Sequence, residues 1–215
     1  MPAVSTGHQA LDAALINAGW PTQSLIEICQ GRGNAEWQLL APLVTQTRYG
    51  YIVLINPPTR PFAPALIHLG VDLNRLIVVE ASKPADWMMA VLQVVQTEAC
   101  EVVIAWQPKQ TLSYTQLRKC QLAAMGSRGL TFVFRPETVL QQASPAALRV
   151  HLTLEKSYLT ATVVKQRGML ATASSEIQLP VPKTWCGGFL YQRLNWSVDQ
   201  PLKPLRTRPR HLRSV

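Results

Sequence analysis

The amino-acid sequence predicts an α/β fold in which a mostly parallel sheet is flanked by helices and followed by a C-terminal antiparallel hairpin and a basic tail. Through residue 136, short aliphatic and β-branched runs alternate with longer segments of helical periodicity, the pattern of strands joined by crossover helices. The runs are almost continuously apolar, as strands covered on both faces are. Beyond residue 136 two β-type runs follow each other directly, and the end of the chain is rich in proline and arginine.

Five runs in the first part of the chain are predicted to form strands. They span residues 24–29, 51–55, 76–79, 102–105 and 130–134. Helices are predicted between them, at residues 35–46, 64–69, 85–97 and 113–126. In the third of these helices, Met88, Val91, Leu92 and Val95 follow the i, i+3, i+4, i+7 spacing of a helix that lies on a sheet.

The last third of the chain departs from this alternation. Residues 149–154 and 159–165 are β-type runs separated by four residues, which predicts an antiparallel hairpin at the edge of the sheet. Beyond Gly168 the chain is punctuated by proline and shows no sustained periodicity. The sequence therefore predicts a core over residues 1–169 and an extension over residues 170–215.

The composition predicts a folded protein without a membrane segment or a metal site. Apolar residues make up 47% of the chain and charged residues 15%, which is enough apolar side chain to form a core. No run approaches the roughly 18 apolar residues of a membrane span. The four cysteines form no C-x-x-C pair and the four histidines lack metal-ligand spacing. We therefore expect a cytoplasmic protein with reduced thiols, no membrane partner and no cofactor.

Basic residues are concentrated toward the C-terminus. Residues 1–136 hold ten Lys/Arg against eight Asp/Glu, and residues 137–215 hold eleven against four, an excess of +2 and of +7. Five basic residues and no acid lie in the final tail: Lys203, Arg206, Arg208, Arg210 and Arg213. A proline-spaced basic strand neutralises phosphates without folding first, so the tail is predicted to bind DNA or a second protein. A solvated tail without function is the alternative.

Two motifs in the first half of the chain give a more specific expectation. Residues 6–15 read TGHQALDAAL and precede the strand LIEI, and residues 69–76 read LGVDLNRL. In their order and spacing, these segments resemble the RecA recombinase family over about residues 5–136. The resemblance implies a core in which a phosphate-binding loop follows the first strand, with a lysine for the phosphates and a hydroxyl for magnesium.

The segment in the place of that loop departs from the family pattern. Residues 30–38 read QGRGNAEWQ. After the first residue of this segment come Gly31, Arg32 and Gly33, but Ala35 stands where the motif has its second glycine. Glu36 stands at the lysine position and Trp37 at the hydroxyl position. A carboxylate there would repel a triphosphate, and an indole would fill the space of the metal-binding hydroxyl.

Two further positions agree with the loss of nucleotide chemistry. Trp106 follows the fourth strand, where the resemblance implies a magnesium-coordinating aspartate. An Asn-Pro-Pro sequence at residues 56–58 follows the second strand, where it implies a water-activating glutamate. We therefore predict a degenerate nucleotide site that is not catalytic and a crevice that is packed shut. An unusual nucleotide site with Arg32 in place of the lysine is the alternative.

The six tryptophans are numerous for a chain of this length, and aromatic residues are enriched at interface hot spots. Trp20 and Trp106 are predicted to pack in the core. For Trp37 and Trp87, on helical segments, core packing and an outward position both remain open. Two more, Trp185 and Trp196, lie in the extension and are candidates for docking to a partner.

Two bacterial families resemble a RecA core without its ATPase, and both act in the SOS response to DNA damage. This chain keeps the TG-x-x-x-LD opening, continues beyond the strand that ends in Phe-Arg-Pro, and adds the basic extension. That pattern resembles the ImuA family, the accessory proteins of error-prone translesion synthesis. The resemblance implies a non-catalytic adaptor that binds an ImuB-like Y-family polymerase homologue, with RecA and DNA as further partners.

The alternative is the SulA family of cell-division inhibitors, which bind FtsZ and block its polymerisation. Several strand segments resemble both families. The SulA resemblance implies a partner surface that includes Arg48 and Arg75. A regulator of RecA itself is a third and more distant reading.

We expect the basic tail to provide part of any DNA affinity. Deletion of residues 200–215 should weaken binding to a single-stranded oligonucleotide and make its dependence on salt shallower, since each lost phosphate contact lowers the log–log slope by about 0.7. Fluorescence anisotropy of the full and truncated chains at several salt concentrations measures both quantities. An unchanged affinity would show that the tail does not bind DNA.

Overall fold

The computed structural model describes residues 2–31, 36–155, 158–168 and 176–180. The strands are β1 Ala3–Val4, β2 Trp20–Pro21, β3 Leu25–Gln30, β4 Tyr51–Ile55, β5 Leu76–Val79, β6 Cys100–Trp106, β7 Leu130–Pro136, β8 Leu148–Leu154, β9 Tyr158–Gln166 and β10 Glu176–Pro180. The helices are α1 Gln9–Ala14, α2 Glu36–Gln46, α3 Ala63–His68, α4 Pro84–Val95 and α5 Tyr114–Met125. Short 3-10 turns precede β5 and follow β7.

The described residues form one eight-stranded sheet and one small two-stranded sheet. The order of the large sheet is β10-β9-β8-β3-β7-β6-β4-β5. Its six strands from β8 to β5 are parallel, while β9 runs antiparallel to β8 and β10 antiparallel to β9. The short strands β1 and β2 pair with each other. The predicted α/β class, parallel sheet and antiparallel hairpin are confirmed.

Helices cover the parallel strands on both faces. On β3, Ile26 and Ile28 belong to an apolar cluster with Leu39 and Leu40 of α2. The preceding residue, Leu25, belongs to the opposite cluster, which contains core residues of α4 and α5. Alternate side chains of a strand point to opposite faces, which explains why the strands read as continuous apolar runs.

The opening motif packs against α2. Gly7 has φ +77°, and a Cβ on it would lie 2.2 Å from the Cβ of Pro42, so both its conformation and the close approach require glycine. The Asp12 carboxylate accepts a hydrogen bond from the Thr6 amide at 2.8 Å and from the Ser5 hydroxyl at 2.6 Å. The buried Leu11 anchors α1 in the core. The motif therefore fixes the entry of the chain onto the sheet.

Each end of the predicted strands and helices lies within two residues of the end found in the structure. The sequence analysis did not predict β1, α1, β2 or β10. Strand β10 lies inside the predicted extension and pairs with β9 through residues 176–180. Its Ile177 and Leu179 are buried, and the Gln38 side chain of α2 donates a hydrogen bond to the Pro180 carbonyl at 3.2 Å.

A buried ionic cluster holds the centre of the sheet. Glu27 of β3 is fully buried, and its Oε1 lies 2.7 Å from Nη1 of Arg135 on β7 and 3.1 Å from Nη2 of Arg149 on β8. Two guanidinium groups against one carboxylate leave an excess of one positive charge in the interior. Backbone carbonyls compensate it, since Arg149 donates to those of Val139, Leu140 and Gln142.

Glu27→Gln should destabilise the protein by roughly 3–5 kcal/mol, because the neutral amide leaves two buried guanidinium groups without a counter-charge. The free energy of unfolding from urea titrations measures the change. Glu98→Gln is the matched control, since Glu98 is exposed, and surface changes of this kind stay within about 0.5 kcal/mol. A loss below about 1 kcal/mol in Glu27→Gln would contradict the assigned role.

Candidate functional site

A crevice opens where the parallel strands β3, β4, β6 and β7 end. It has a volume of about 470 Å³, and its lining includes Gln30, Asn56, Gln107, Arg135 and Glu137. Crevices at the carboxyl ends of strands are the usual ligand sites of open α/β sheets. The expectation that this crevice is packed shut was wrong. Trp106 forms part of one wall and does not fill the space.

Glu36 lies in the first turn of α2, at the helix end where a phosphate would be bound. It is 3% exposed, and its Oε2 accepts a hydrogen bond from Nε2 of Gln30 at 3.1 Å. Burial raises the pKa of the Glu36 carboxyl above its ordinary value. The protein therefore supplies its own carboxyl group at this helix end, beside the crevice residue Gln30.

A second carboxylate stands at the beginning of the same loop. A Cβ added to Gly31 would lie 3.1 Å from Oε2 of Glu137. Oε2 of Glu137 also lies 3.5 Å from Nε2 of His151. Since Gly31 and Glu137 both line the crevice, the mouth of the predicted phosphate loop carries negative charge. Such a charge opposes the binding of a triphosphate.

The end of β6 contributes an aromatic wall. The rings of Trp106 and Phe134 stack with centroids 5.4 Å apart and planes at 20°. Trp106 is 7% exposed, and its Nε1 has no hydrogen-bond partner among the described residues. The indole therefore occupies the strand end where the family resemblance implies a metal-binding carboxylate.

Asn56, at the end of β4, is used inside the fold. Its side chain donates a hydrogen bond to the Ala81 carbonyl at 2.8 Å and accepts one from the Ala81 amide at 2.7 Å. These bonds join the end of β4 to the segment that follows β5. The position at which the resemblance implies a water-activating glutamate thus holds an amide engaged with backbone.

The structure brings together only part of the predicted nucleotide site. Gly31 and Trp106 line the crevice, and Glu36 bonds to one of its residues. Trp37 is half-buried against the core and is not among the lining residues, so its predicted role as a plug is wrong. Arg32 and Gly33 lie outside the described residues. Sequence reasoning missed the lining residues Gln30, Gln107, Arg135, Glu137 and Thr138.

Two of the predicted partner-surface residues are engaged in the fold. Trp87, for which core packing and an outward position were both open, is fully buried on the core side of α4, so it does not contribute to a partner surface. Arg75 donates hydrogen bonds to the carbonyls of Thr47 and Gly50 and lies 3.3 Å from Oε2 of Glu101. It therefore joins β5 to the turn before β4, and only a fifth of its side chain is exposed.

Arg48 is exposed, and the adjacent Tyr49 is 96% exposed. The remaining predicted docking and tail residues lie outside the described residues: Trp185, Trp196, Lys203, Arg206, Arg208, Arg210 and Arg213.

Comparisons with protein-family models and with curated proteins found no match to this chain. Among the described helices, none has the length and apolar character needed to cross a bilayer. Within the same residues, no three His, Cys, Asp or Glu side chains come together as metal ligands could.

Glu36→Gln should raise the free energy of unfolding at neutral pH. The pKa of Glu36 is raised in the folded state, so folding favours its protonated form. The stability associated with that form is complete below the unfolded pKa, near 4.5, and is lost as the pH rises through the folded pKa. The gain in the free energy of unfolding from Glu36→Gln should therefore vanish near pH 4. Urea titrations at pH 7.5 and pH 4 measure it, and equal effects at both values would contradict the argument.

Proposed function

We propose that this protein is a non-catalytic adaptor of the ImuA type, with a RecA-like core, that acts in SOS-induced error-prone translesion DNA synthesis. Its proposed partner is an ImuB-like Y-family polymerase homologue, with DNA and RecA as further partners. The observation that carries the proposal is the position of Glu36. A buried carboxyl group lies at the helix end that would have to bind phosphate.

The topology supports the RecA-like core. Strand β3 lies in the interior of the sheet, and the helix that follows it begins beside the crevice. This is the strand–loop–helix arrangement of phosphate-binding folds. The TG-x-x-x-LD opening supports it further, since Gly7 packs against α2 and Asp12 binds the preceding turn.

The chemistry of the crevice supports a non-catalytic role. A triphosphate with its magnesium requires cationic and hydroxyl groups at the loop and a carboxylate at the end of β6. At the loop this chain has Glu36 and Trp37, and at the end of β6 it has Trp106. Glu137 adds a further carboxylate beside Gly31. Carboxyl groups at these two positions offer none of the attraction that a lysine gives to a triphosphate, and an ionised carboxylate repels it.

The engagement of Arg75 favours the adaptor over the FtsZ inhibitor. The SulA resemblance assigns Arg75 to a partner surface, whereas here its guanidinium bonds to two backbone carbonyls and to Glu101. Its removal would disturb the packing of β5 whether or not a partner binds there.

The proposal is tested by nucleotide binding and by affinity capture. A fluorescent ATP analogue with magnesium should show no binding at micromolar concentrations, and no ATP turnover should be detected. A tagged full-length chain from DNA-damaged cells should retain a Y-family-like polymerase homologue. Magnesium-dependent binding of the analogue would contradict the non-catalytic role. Recovery of FtsZ, together with filamentous cells on overexpression, would favour the SulA-type alternative.

A further inference from the structure

The outer side of α5 carries an apolar stripe that the fold does not use. Leu117, Cys120 and Ala124 of this helix are buried against the sheet. On its solvent side, Tyr114, Leu122 and Met125 are 49%, 55% and 51% exposed. With Arg118 they follow the spacing i, i+4, i+8, i+11 and so share one side of the helix. Grouped exposed apolar side chains of this kind mark surfaces that a partner covers.

The same surface is basic. Between residues 102 and 136 the chain has five Lys/Arg and no acidic residue. Arg135 is engaged with Glu27, whereas Arg118 and Lys119 are exposed and form no ion pair with another described residue. The two helices on this face, α4 and α5, contain one acid, Asp86 at the beginning of α4. Arg118 and Lys119 therefore lie beside the apolar stripe without an ion pair to Asp86 or to any other described acid.

Helix α4 extends the apolar surface. Sδ of Met88 lies 3.9 Å from Sγ of Cys120, so this side of α4 faces α5. Leu92 lies one turn further along the same side, and both Met88 and Leu92 are half-buried. The apolar stripe of α5 is therefore bordered by apolar side chains of its neighbour.

We propose that the α5 face, defined by Tyr114, Arg118, Lys119, Leu122 and Met125, binds an acidic amphipathic helix of a protein partner. The stripe from Tyr114 to Met125 is about 16 Å long, which matches three turns of a second helix. An apolar side of that helix would cover Leu122 and Met125, and its glutamates or aspartates would pair with the two cations. The inference rests on the proposed adaptor role only for the identity of the partner.

The combination of residues separates this occupant from nucleic acid. Backbone phosphates would neutralise Arg118 and Lys119 but would leave Leu122 and Met125 exposed to water, because a phosphate backbone offers charge and no apolar surface. A protein helix satisfies both parts of the surface at once. Binding through this face should therefore depend on the apolar residues as strongly as on the charges.

The probe for this surface is a labelled synthetic peptide of about 18 residues, or five helical turns, with leucines on one side and glutamates on the other. Fluorescence anisotropy with the full chain should show binding that weakens with added salt. Leu122→Ser and the double variant Arg118→Glu/Lys119→Glu should each weaken it about tenfold or more. Two matched controls should leave it unchanged: Ile67→Ser on α3 and Arg48→Glu before β4, both at exposed positions. Thermal melts establish that the variants are folded.

Three results would overturn the proposal. One is equal binding of a scrambled peptide with the same composition. Another is full binding by Leu122→Ser. The third is displacement of the peptide by a single-stranded oligonucleotide whose binding requires Arg118 and Lys119 but not Leu122. That result would make the α5 face a nucleic-acid surface.

Capture of the polymerase homologue separates this inference from the adaptor proposal. If Leu122→Ser retains the polymerase as well as the unaltered chain does, the surface is wrong and the adaptor role stands. If the unaltered chain binds the peptide but retains no polymerase homologue, the adaptor role fails and the surface stands.

Discussion

The pairing of Glu27 with Arg135 and Arg149 is the constraint on which the sheet and its crevice depend. The three side chains join the adjacent strands β3, β7 and β8 from inside the core. Arg135 also donates to Oε1 of Gln107 at 2.7 Å, and both residues line the crevice. Burial raises the pKa of the neighbouring Cys29 thiol to about 11, so Cys29 contributes a neutral S–H, 3.6 Å from Oε1 of Glu27. The floor of the crevice is thus held by the same charges that stabilise the core.

The polar groups around the crevice are largely occupied by the protein itself. Gln30 bonds to Glu36, Asn56 to the backbone of Ala81, and Gln107 to Arg135. The bonded atoms must give up an internal hydrogen bond before they can bind a ligand, whereas Oε1 of Gln30 is buried without a partner among the described residues. This arrangement is typical of a site whose polar residues serve the fold, and it accords with the proposal that partner binding takes place on the outer helices.

The sequence predicted the parallel strands well because each is a compact apolar run, but it could not show which residues meet. Arg135 and Arg149 lie 108 and 122 residues from Glu27, a separation without any local pattern. The periodicity of α4 was recognised, and Val91 and Val95 of the predicted stripe are buried. Met88 and Leu92 are only half-buried, and Trp87 completes the buried side in their place. Arg75 looked available because a sequence does not show which arginines bond to backbone carbonyls.

The position of β3 in the sheet also determines when the fold can form during synthesis. Its neighbours β7 and β8 follow it by more than a hundred residues, so the central strand waits for most of the chain to leave the ribosome. Until then β3 has no strand beside it and Glu27 lacks both of its arginine partners. Such long-range pairing is slow and exposes apolar strands to aggregation. The ionic cluster can be completed only when β8 has been made, and β9 and β10 then add their buried residues to the same core.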